Sequence, residues 1–401
     1  MKYYIIAGEA SGDLHGSNLM KGLFEKDPKA DVRFWGGPFM NDVSQAYRPG
    51  VAAMVKDYKD TAVMGFKEVL LKARTISANL KFCMQDILSW QPDVIILIDY
   101  PGFNLKIAEF AHNHGLKVFW YIAPKVWASR EGRIRKIKKF VDKLFIVFPF
   151  EKEYFDKKGI SYVYCGNPLI DAVDNNAHLP APEAACGKPY IALLAGSRKG
   201  EVKYMMPVFK QFADILSATP GYEDYKFLVA GAPSRSMEDY ALWAGPDSKL
   251  QVIFGQTQNI VRHAKAAVVN SGTASLETAI VGTPQVVVYA TSALNAAIAK
   301  RIIKIDCVSL GNLIAGRKVF KELLQYYFTP ENVVNEVIRL TSDQEYIQTM
   351  KDGYQEIRTL LGGRGASQKV ASAIIDELIV PKKEISRLAV LARNDRKGRS
   401  K

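Results

Sequence analysis

Short apolar runs alternate with longer amphipathic segments along most of the chain. The runs rich in Val, Ile, Leu and aromatic residues are predicted to be β-strands, at Lys2–Ala7, Val32–Trp35, Val94–Ile98, Lys117–Ile122, Leu144–Phe148, Tyr162–Cys165, Tyr190–Ala195, Lys226–Ala230, Gln251–Phe254, Ala267–Asn270 and Gln285–Tyr289. Continuous apolar runs such as VIILI are typical of parallel strands buried on both faces of a sheet. The alternation with helical segments predicts an α/β fold with two doubly wound sheets.

The strand–helix pattern stops near residue 167 and begins again near residue 190. The segment Asp171–Lys188 contains prolines and several Asn and Ala residues without a strong period, and we interpret it as a linker or surface crossing. A chain of 401 residues is also too long for one ordinary core. We therefore expect an N-terminal domain at 1–168, a second domain at 169–340, helices at 341–380 and a disordered tail at 381–401.

The net charge of +13 is concentrated in two segments. One is the tail after Pro381, and the other is the run 129–143, which is rich in Lys and Arg. Such clusters favour a membrane surface or a phosphorylated substrate, or are simply solvated. Nucleic acid is the weakest interpretation, because no helix-turn-helix, RRM or zinc pattern accompanies the charge.

The sequence carries no signal for membrane insertion, secretion or metal binding. No apolar run approaches the roughly 18–20 residues that span a bilayer, and the N-terminal run is too short for a signal peptide. The four cysteines are scattered and are interpreted as reduced thiols. We therefore expect a cytoplasmic protein without a metal site.

The first strand ends in a turn of small and acidic residues, in the stretch MKYYIIAGEASGDLHG. The carboxyl edge of an open α/β sheet is where ligands bind. The glycines do not follow the G-x-G-x-x-G spacing of dinucleotide sites, and Glu9 and Asp13 would repel a pyrophosphate. The turn, followed by a helix from about Gly12, therefore predicts a pocket for substrate hydroxyls.

A second acidic residue stands at the end of the strand Val94–Ile98, in IDYPGFN. A carboxylate at this edge is well placed to take a proton from an attacking hydroxyl, which makes Asp99 a candidate general base. The same pattern also fits an aspartate that only caps the helix opened by Asn104. The segment alone leaves both interpretations open.

The second half repeats the arrangement of a strand, a small-residue turn and a helix. In ALLAGSRKGE, Ser197 allows a ligand to approach the backbone, and Arg198 is a candidate clamp for a diphosphate. In NSGTASLE, the amides and hydroxyls of 271–273 form a candidate anion site at a helix N-terminus, and Glu277 lies where it could bind a ribose diol. A well-capped helix without a ligand is the alternative.

Residues 63–76 have an amphipathic pattern with interleaved lysines. Packing against the protein core is the simpler explanation, and an interfacial helix that meets lipid or an acyl chain is the alternative. The apolar residues expected to form such a patch are Val63, Phe66, Val69 and Leu70.

Taken together, these segments resemble the lipid-A-disaccharide synthase family. The matching stretches follow the family order from the first strand to about residue 325, as GEASGD, AVMGFKEVL, IDYPGFN, VWASR, FPFE, AGSRKGEV, SGTASLE, VSLGNLIAGR and KELLQ. The chain departs from the usual family pattern at three positions, Ala195, Asn167 and Lys125. At the position of Lys125 the family usually has a small residue. The tail after Pro381 carries no family motif.

The resemblance implies a metal-free, inverting GT-B glycosyltransferase with two Rossmann-like domains that face a cleft. Its expected reaction joins UDP-2,3-diacylglucosamine to 2,3-diacylglucosamine 1-phosphate, to give a β-1,6-linked disaccharide and UDP. Asp99 is then the base for the acceptor 6-hydroxyl. The expected donor-binding residues are Ser197, Arg198, Ser271, Gly272, Thr273, Glu277 and Asn312, and the expected acceptor-cleft residues are Glu9, Ser11, Asp13 and Asn104.

The resemblance also implies peripheral attachment to the inner leaflet of the cytoplasmic membrane. The C-terminal helices 341–380 are expected to pack on the N-terminal domain or to exchange between two protomers. Two other functions stay open from the sequence. One is another GT-B transferase or a UDP-sugar epimerase, and the other is a non-catalytic, membrane-associated nucleotide-sugar binder.

Overall fold

The strands form two separate parallel sheets. The computed structural model describes residues 1–60, 73–127, 131–291 and 307–379. In these ranges the first sheet has seven strands in the order 3-2-1-4-5-6-7, and the second has six in the order 10-9-8-11-12-13. The direction of the strand order reverses between strands 1 and 4 in the first sheet and between strands 8 and 11 in the second. This is the topology of doubly wound sheets, so the predicted pair of such α/β sheets is confirmed.

The first sheet is built by the N-terminal half of the chain. Its elements are β1 (Lys2–Ala7), α1 (Ala10–Lys26), β2 (Asp31–Gly36), α2 (Pro38–Tyr47), β3 (Met54–Asp57), α3 (Ala73–Trp90), β4 (Val94–Ile98), α4 (Pro101–Asn113), β5 (Lys117–Tyr121), α5 (Ile134–Phe140), β6 (Lys143–Ile146), α6 (Glu151–Lys157), β7 (Tyr162–Tyr164) and α7 (Leu169–Asn175). Every residue of β4 is buried, because helices cover both faces of the sheet.

The second sheet and the remaining helices follow. The elements are β8 (Tyr190–Leu194), α8 (Lys199–Ser217), β9 (Lys226–Gly231), β10 (Leu250–Phe254), α9 (Thr257–His263), β11 (Ala266–Asn270), α10 (Thr273–Val281), β12 (Gln285–Tyr289), α11 (Leu310–Ala315), β13 (Glu322–Leu324), α12 (Pro330–Ser342), α13 (Gln344–Leu361) and α14 (Ala366–Ile379). The strands β8 and β11 are fully buried at its centre.

Several predicted boundaries differ from the structure. The first helix begins at Ala10 rather than near Gly12. The segment interpreted as a linker opens with the helix α7, whose Leu169, Ile170 and Val173 are buried at helical spacing. The C-terminal helical region begins at Pro330 rather than at residue 341. The edge strands β3 and β13 were not predicted, because both are short and carry charged residues.

The chain crosses between the two halves twice, at 165–168 and at 361–366, and the crossings contact each other. The backbone N–H of Asn167 donates to the carbonyl oxygen of Leu361 at 3.0 Å. At the second crossing, the carboxylate of Asp171 accepts hydrogen bonds from the backbone amides of Gly365 and Ala366, where α14 begins. The helix α14 then packs on α1. A methyl group on Gly22 would lie 2.9 Å from the Cβ atom of Ala371, which shows how closely these helices approach.

Candidate active site

The carboxyl edges of the two sheets carry most of the predicted site residues. In the first sheet β1 and β4 are neighbours, and Ala7 pairs with Ile98, so the residues that follow the two strands lie side by side. In the second sheet β8 and β11 are neighbours in the same way. Each pair is the point where the strand order reverses, which is the usual ligand position in doubly wound sheets.

Asp99 lies in a backbone conformation that few side chains adopt. Its φ is 43°, and the φ of the next residue, Tyr100, is 47°. Left-handed conformations of this kind cost about 1–3 kcal/mol each and persist where the surrounding structure holds them. The side-chain amide of Asn104 donates to the carbonyl oxygens of Asp99 at 2.8 Å and Ile98 at 3.3 Å. The ring of Tyr100 lies directly over Gly8.

The Asp99 carboxyl is half-buried among charged groups. Burial raises its pKa, while Lys125, the backbone N–H of Tyr100 and Arg133 partly oppose this rise. The pKa of Glu9 is also raised, by burial and by the Asp99 carboxylate. A general base needs a carboxylate that is ionised but still basic, and partial burial beside cations provides both properties.

Glu9 connects the two halves of the chain electrostatically. Arg198 lies in the β8–α8 loop of the second sheet, and its charge lowers the pKa of Glu9 in the first sheet. The β8–α8 loop of the second sheet therefore lies near the β1–α1 turn of the first. The structure brings together Glu9, Asp99 and Arg198, which the sequence placed in three distant segments.

The β8–α8 loop holds Ser197 and Arg198 at the cleft. Both residues are exposed, and the carboxylate of Glu201 accepts hydrogen bonds from their backbone amides at 3.1 and 3.2 Å. Gly196 has a φ of 93°, and a Cβ atom there would lie 2.4 Å from the side-chain nitrogen of Asn270. Only glycine therefore permits this approach of the loop to the end of β11.

The β11–α10 turn places small polar residues beside that loop. Ser271 and Gly272 are partly exposed, and Thr273, which begins α10, is exposed. Burial raises the pKa of Glu277, and its carboxylate accepts a 2.6 Å hydrogen bond from the side chain of Gln258. The turn offers amides and hydroxyls at the positive end of a helix, with a carboxylate one turn away.

Three of the predicted site residues are fully buried, and their side chains make hydrogen bonds within the protein. Asp13 accepts hydrogen bonds from the backbone amides of Gly37, Phe39 and Met40 at 2.9–3.0 Å, so it caps the N-terminus of α2. Asn104 is fully buried beneath the β4–α4 turn. Both side chains are turned inward, where Asp13 holds the N-terminus of α2 and Asn104 holds the β4–α4 turn.

Asn312 is the third of these residues. Its side-chain oxygen accepts from the backbone amides of Val319 and Phe320, and its nitrogen donates to the carbonyl of Phe320 and to Glu322. No face of this amide is exposed. In this structure the Asn312 side chain closes the loop between α11 and β13, and its contact with a donor stays a prediction from the resemblance. Ser11, by comparison, is exposed at the start of α1.

One buried acid near the cleft was not predicted as a site residue. Glu151 begins α6, is fully buried, and accepts hydrogen bonds from the Trp127 indole at 3.1 Å and from the amides of Val147 and Phe148. Burial raises its pKa to about 7, against the lowering effect of these donors and of Lys125. Its only signal in the sequence is its place in FPFE, among the stretches that carry the family resemblance.

The apolar patch expected at Val63, Phe66, Val69 and Leu70 and the tail 381–401 lie outside the residues that the structure describes. In the described ranges, no three or more His, Cys, Asp or Glu side chains are grouped so that they could hold a metal ion. No helix in the same ranges has the length and hydropathy to cross a membrane.

Comparisons with known proteins agree with the motifs. The model of the lipid-A-disaccharide synthetase family matches residues 3–375. A lipid-A-disaccharide synthase from Syntrophus aciditrophicus is 37% identical over 377 residues, which cover 92% of this chain and 95% of the relative. One from Trichlorobacter lovleyi is 34% identical over 377 residues, which cover 92% and 96%.

The fold alone is shared more widely. The crystal structure of a UDP-GlcNAc 2-epimerase from Neisseria meningitidis superimposes with a TM-score of 0.59 over 94% of this chain and 100% of the epimerase, at 12% identity. Because a common fold hosts different reactions, the assignment depends on the sequence relatives and not on the fold. The family model and the relatives, which span nearly the whole chain, show that the chain belongs to the lipid-A-disaccharide synthase family.

Proposed function

We propose that this chain transfers the 2,3-diacylglucosamine unit of UDP-2,3-diacylglucosamine to the 6-hydroxyl of 2,3-diacylglucosamine 1-phosphate. Asp99 accepts the hydroxyl proton while the oxygen forms a bond to the anomeric carbon of the donor. The bond from that carbon to the UDP oxygen breaks, and UDP leaves with the bonding electrons. Attack opposite the leaving group inverts the anomeric configuration and gives the β-1,6 linkage.

The observation that supports this proposal most strongly is the position of Asp99 relative to Arg198. Asp99 follows β4 at the reversal point of the first sheet, and Arg198 follows β8 at the reversal point of the second, where its guanidinium donates to Glu201 at 3.0 Å. A base on one side and a cation on the other suit a displacement in which a proton leaves the acceptor and negative charge develops on a diphosphate.

The donor is expected to bind along the second sheet. Arg198 and the amides of 271–273 would contact the diphosphate, and Glu277 would accept hydrogen bonds from the ribose hydroxyls. Glu9 and Ser11 would contact the sugar hydroxyls of the acceptor in the cleft. Because the chain itself supplies these positive groups, we propose that no metal cofactor is required, and turnover in the presence of a chelator tests this point.

We also propose that the protein works as a peripheral protein on the anionic inner leaflet. Both proposed substrates are acylated, and the helix α5 presents the exposed Arg135, Lys136, Lys138 and Lys139. Each basic residue near an anionic surface contributes about 1 kcal/mol. Sedimentation with anionic vesicles at low and high salt tests this attachment, and salt-independent binding would contradict it. Exchange of C-terminal helices between two protomers stays a prediction.

The reaction is tested by turnover of the two proposed substrates in detergent, with the disaccharide and UDP as measured products. Replacing Asp99 by Asn should reduce turnover by about 10²–10⁴-fold, because general base catalysis contributes about this much. The affinity for UDP should stay within about twofold of the original. The matched control is Asp93→Asn, at the opposite end of the same strand, where the carboxylate only accepts from the exposed amide of Lys2.

Each outcome separates the proposed roles. Loss of turnover with UDP binding intact assigns Asp99 to the chemistry. Unimpaired turnover of the Asp99→Asn variant would refute Asp99 as the base, and UDP binding without any product from the unmodified protein would favour a non-catalytic binder.

A further inference from the structure

The loop after β5 is fixed in position beside Asp99. Ile98 pairs with Tyr121, so the residues that follow β4 and β5 emerge side by side. The backbone N–H of Ile122 donates to the carbonyl oxygen of Phe145 at 3.1 Å, and the indole of Trp127 donates to Glu151 at 3.1 Å. Both ends of the loop are thus anchored to the framework of the first sheet.

Lys125 is the one exposed residue between these anchors, since Ala123, Pro124 and Val126 are buried. Its charge lowers the pKa of Asp99, Glu9 and Glu151, so it lies near all three carboxyl groups. Within the described part of the chain it makes no ion pair with a carboxylate at 4.0 Å or less, and its side chain is exposed.

We propose that Lys125 binds the phosphate monoester of the acceptor sugar and so selects a phosphorylated acceptor. The assignment rests on the proposed function, in which the attacking hydroxyl and the phosphate stand at opposite ends of one sugar. The hydroxyl must reach Asp99, and the phosphate then needs a cation on the same side of the cleft, a short distance from that carboxylate. Lys125 lies on that side of the site, on the loop that follows the strand paired with β4.

Charge balance supports this assignment. Glu9 and Asp99 would repel a phosphate dianion in the cleft, and Arg198 stands on the opposite sheet, where the donor diphosphate also needs a cation. An ammonium group is a compact point charge that suits a phosphate without a fixed geometry. Each cation is thus assigned to one anionic group: Arg198 to the diphosphate of the donor, and Lys125 to the phosphate of the acceptor.

A second role for the same charge must be distinguished. The charged groups that face Asp99 are Glu9 from the β1–α1 turn, Lys125 from the β5 loop and Arg133 from the turn before α5, while Arg198 acts on Glu9 from the second sheet. Removing the ammonium group would raise the pKa of Asp99. The pH profile of each variant therefore has to be measured together with acceptor binding, so that a shift in the ionisation of Asp99 is distinguished from a loss of phosphate binding.

The experiment compares two acceptors with the full-length protein in detergent at pH 8: 2,3-diacylglucosamine 1-phosphate and the same sugar without its phosphate. In Lys125→Met, the KM for the phosphorylated acceptor should rise about 10- to 100-fold, the loss expected for one charge-assisted contact. The KM for the other acceptor and for the donor should stay unchanged, and Lys125→Arg should restore most of the preference. Lys210→Met removes an exposed lysine on α8 that pairs with Asp214 and is the matched control.

Retention of the preference for the phosphorylated acceptor in Lys125→Met would overturn the proposal. An equal loss of activity with both acceptors would also overturn the proposal. If the acid limb of the pH–activity profile also moved to higher pH, the lysine would be assigned to the ionisation of Asp99. A rise confined to the donor KM would place the lysine at the diphosphate instead. Absence of product from the unmodified protein with both acceptors would refute the proposed function itself.

Discussion

Replacing Glu151 by Gln tests whether a buried carboxyl group titrates close to neutral pH. The carboxylate accepts hydrogen bonds from the Trp127 indole and from the amides of Val147 and Phe148, and it is fully buried. Glutamine has nearly the same shape and no charge. Its single side-chain oxygen can accept hydrogen bonds from the two backbone amides. Its NH₂ group then faces the N–H of the Trp127 indole, so the hydrogen bond from the indole is lost.

The magnitude follows from the raised pKa. A pKa of about 7 in place of the usual 4.5 corresponds to a cost of about 3 kcal/mol for the ionised form in the folded protein. Because the folded state binds this proton more tightly than the unfolded state, the group favours folding most below pH 4.5. This contribution is lost as the pH rises towards 7, and it is fully absent above that value.

In Glu151→Gln this pH dependence should disappear. At pH 8 the variant gains about 3 kcal/mol from the removed charge and loses about 1–2 kcal/mol with the indole hydrogen bond, so it should be more stable by about 1–2 kcal/mol. At pH 4, below both pKa values, only the loss remains, and the variant should be the less stable protein.

The direct measurement is the indole ¹⁵N–¹H resonance of Trp127 as a function of pH. The chain has five tryptophans, and Trp127→Phe assigns the signal. The resonance should titrate with a midpoint near 7 and should stop titrating in Glu151→Gln. The control is Glu153→Gln, an exposed neighbour on α6 paired with Lys157, which should leave the midpoint unchanged. A midpoint near 4.5 would refute the reasoning from burial.

Two further substitutions test the framework of the site. In Gly8→Ala the new methyl group would lie 2.3 Å from the ring of Tyr100, so the turn at Asp99 must shift. Because this shift moves the proposed base, kcat should fall about 10- to 100-fold. The control is Gly102→Ala, because nothing lies within 4 Å of a methyl group at that position. An unchanged kcat in Gly8→Ala would show that the turn tolerates the shift. Asn312→Ala removes several buried hydrogen bonds and should lower the free energy of unfolding in urea by about 2–4 kcal/mol. Unchanged stability with a raised donor KM would instead support the contact that the family resemblance implies.

The central strands could be predicted from the sequence because burial on both faces leaves a clear signature. The strands at Lys2–Ala7 and Val94–Ile98 are confirmed with the same boundaries. The edge strand Met54–Asp57 could not be predicted in this way, since its residues are exposed or only half-buried and follow no apolar pattern. Edge strands form because a neighbouring strand offers hydrogen bonds, and this partner is not visible in local sequence.

The candidate site shows the same limit. The position of Asp99 at the end of a strand was visible in the sequence, but its left-handed backbone and its partial burial depend on Asn104 and on helices that pack around it. Polar residues near a strand end were all candidates for substrate contact. Which of them turn inward, as Asp13 and Asn104 do, depends on tertiary packing. A one-dimensional pattern does not contain that information.

The two crossings between the halves have a mechanical consequence. Segments 165–168 and 361–366 run side by side, and the hydrogen bond from Asn167 to Leu361 ties them together. Two linked connections resist twisting of one half of the protein against the other. The motion that costs the least energy is then a hinge rotation of the two halves about the axis that passes through both connections. We therefore expect a single low-energy degree of freedom, and it is the one that changes the distance between Asp99 and Arg198.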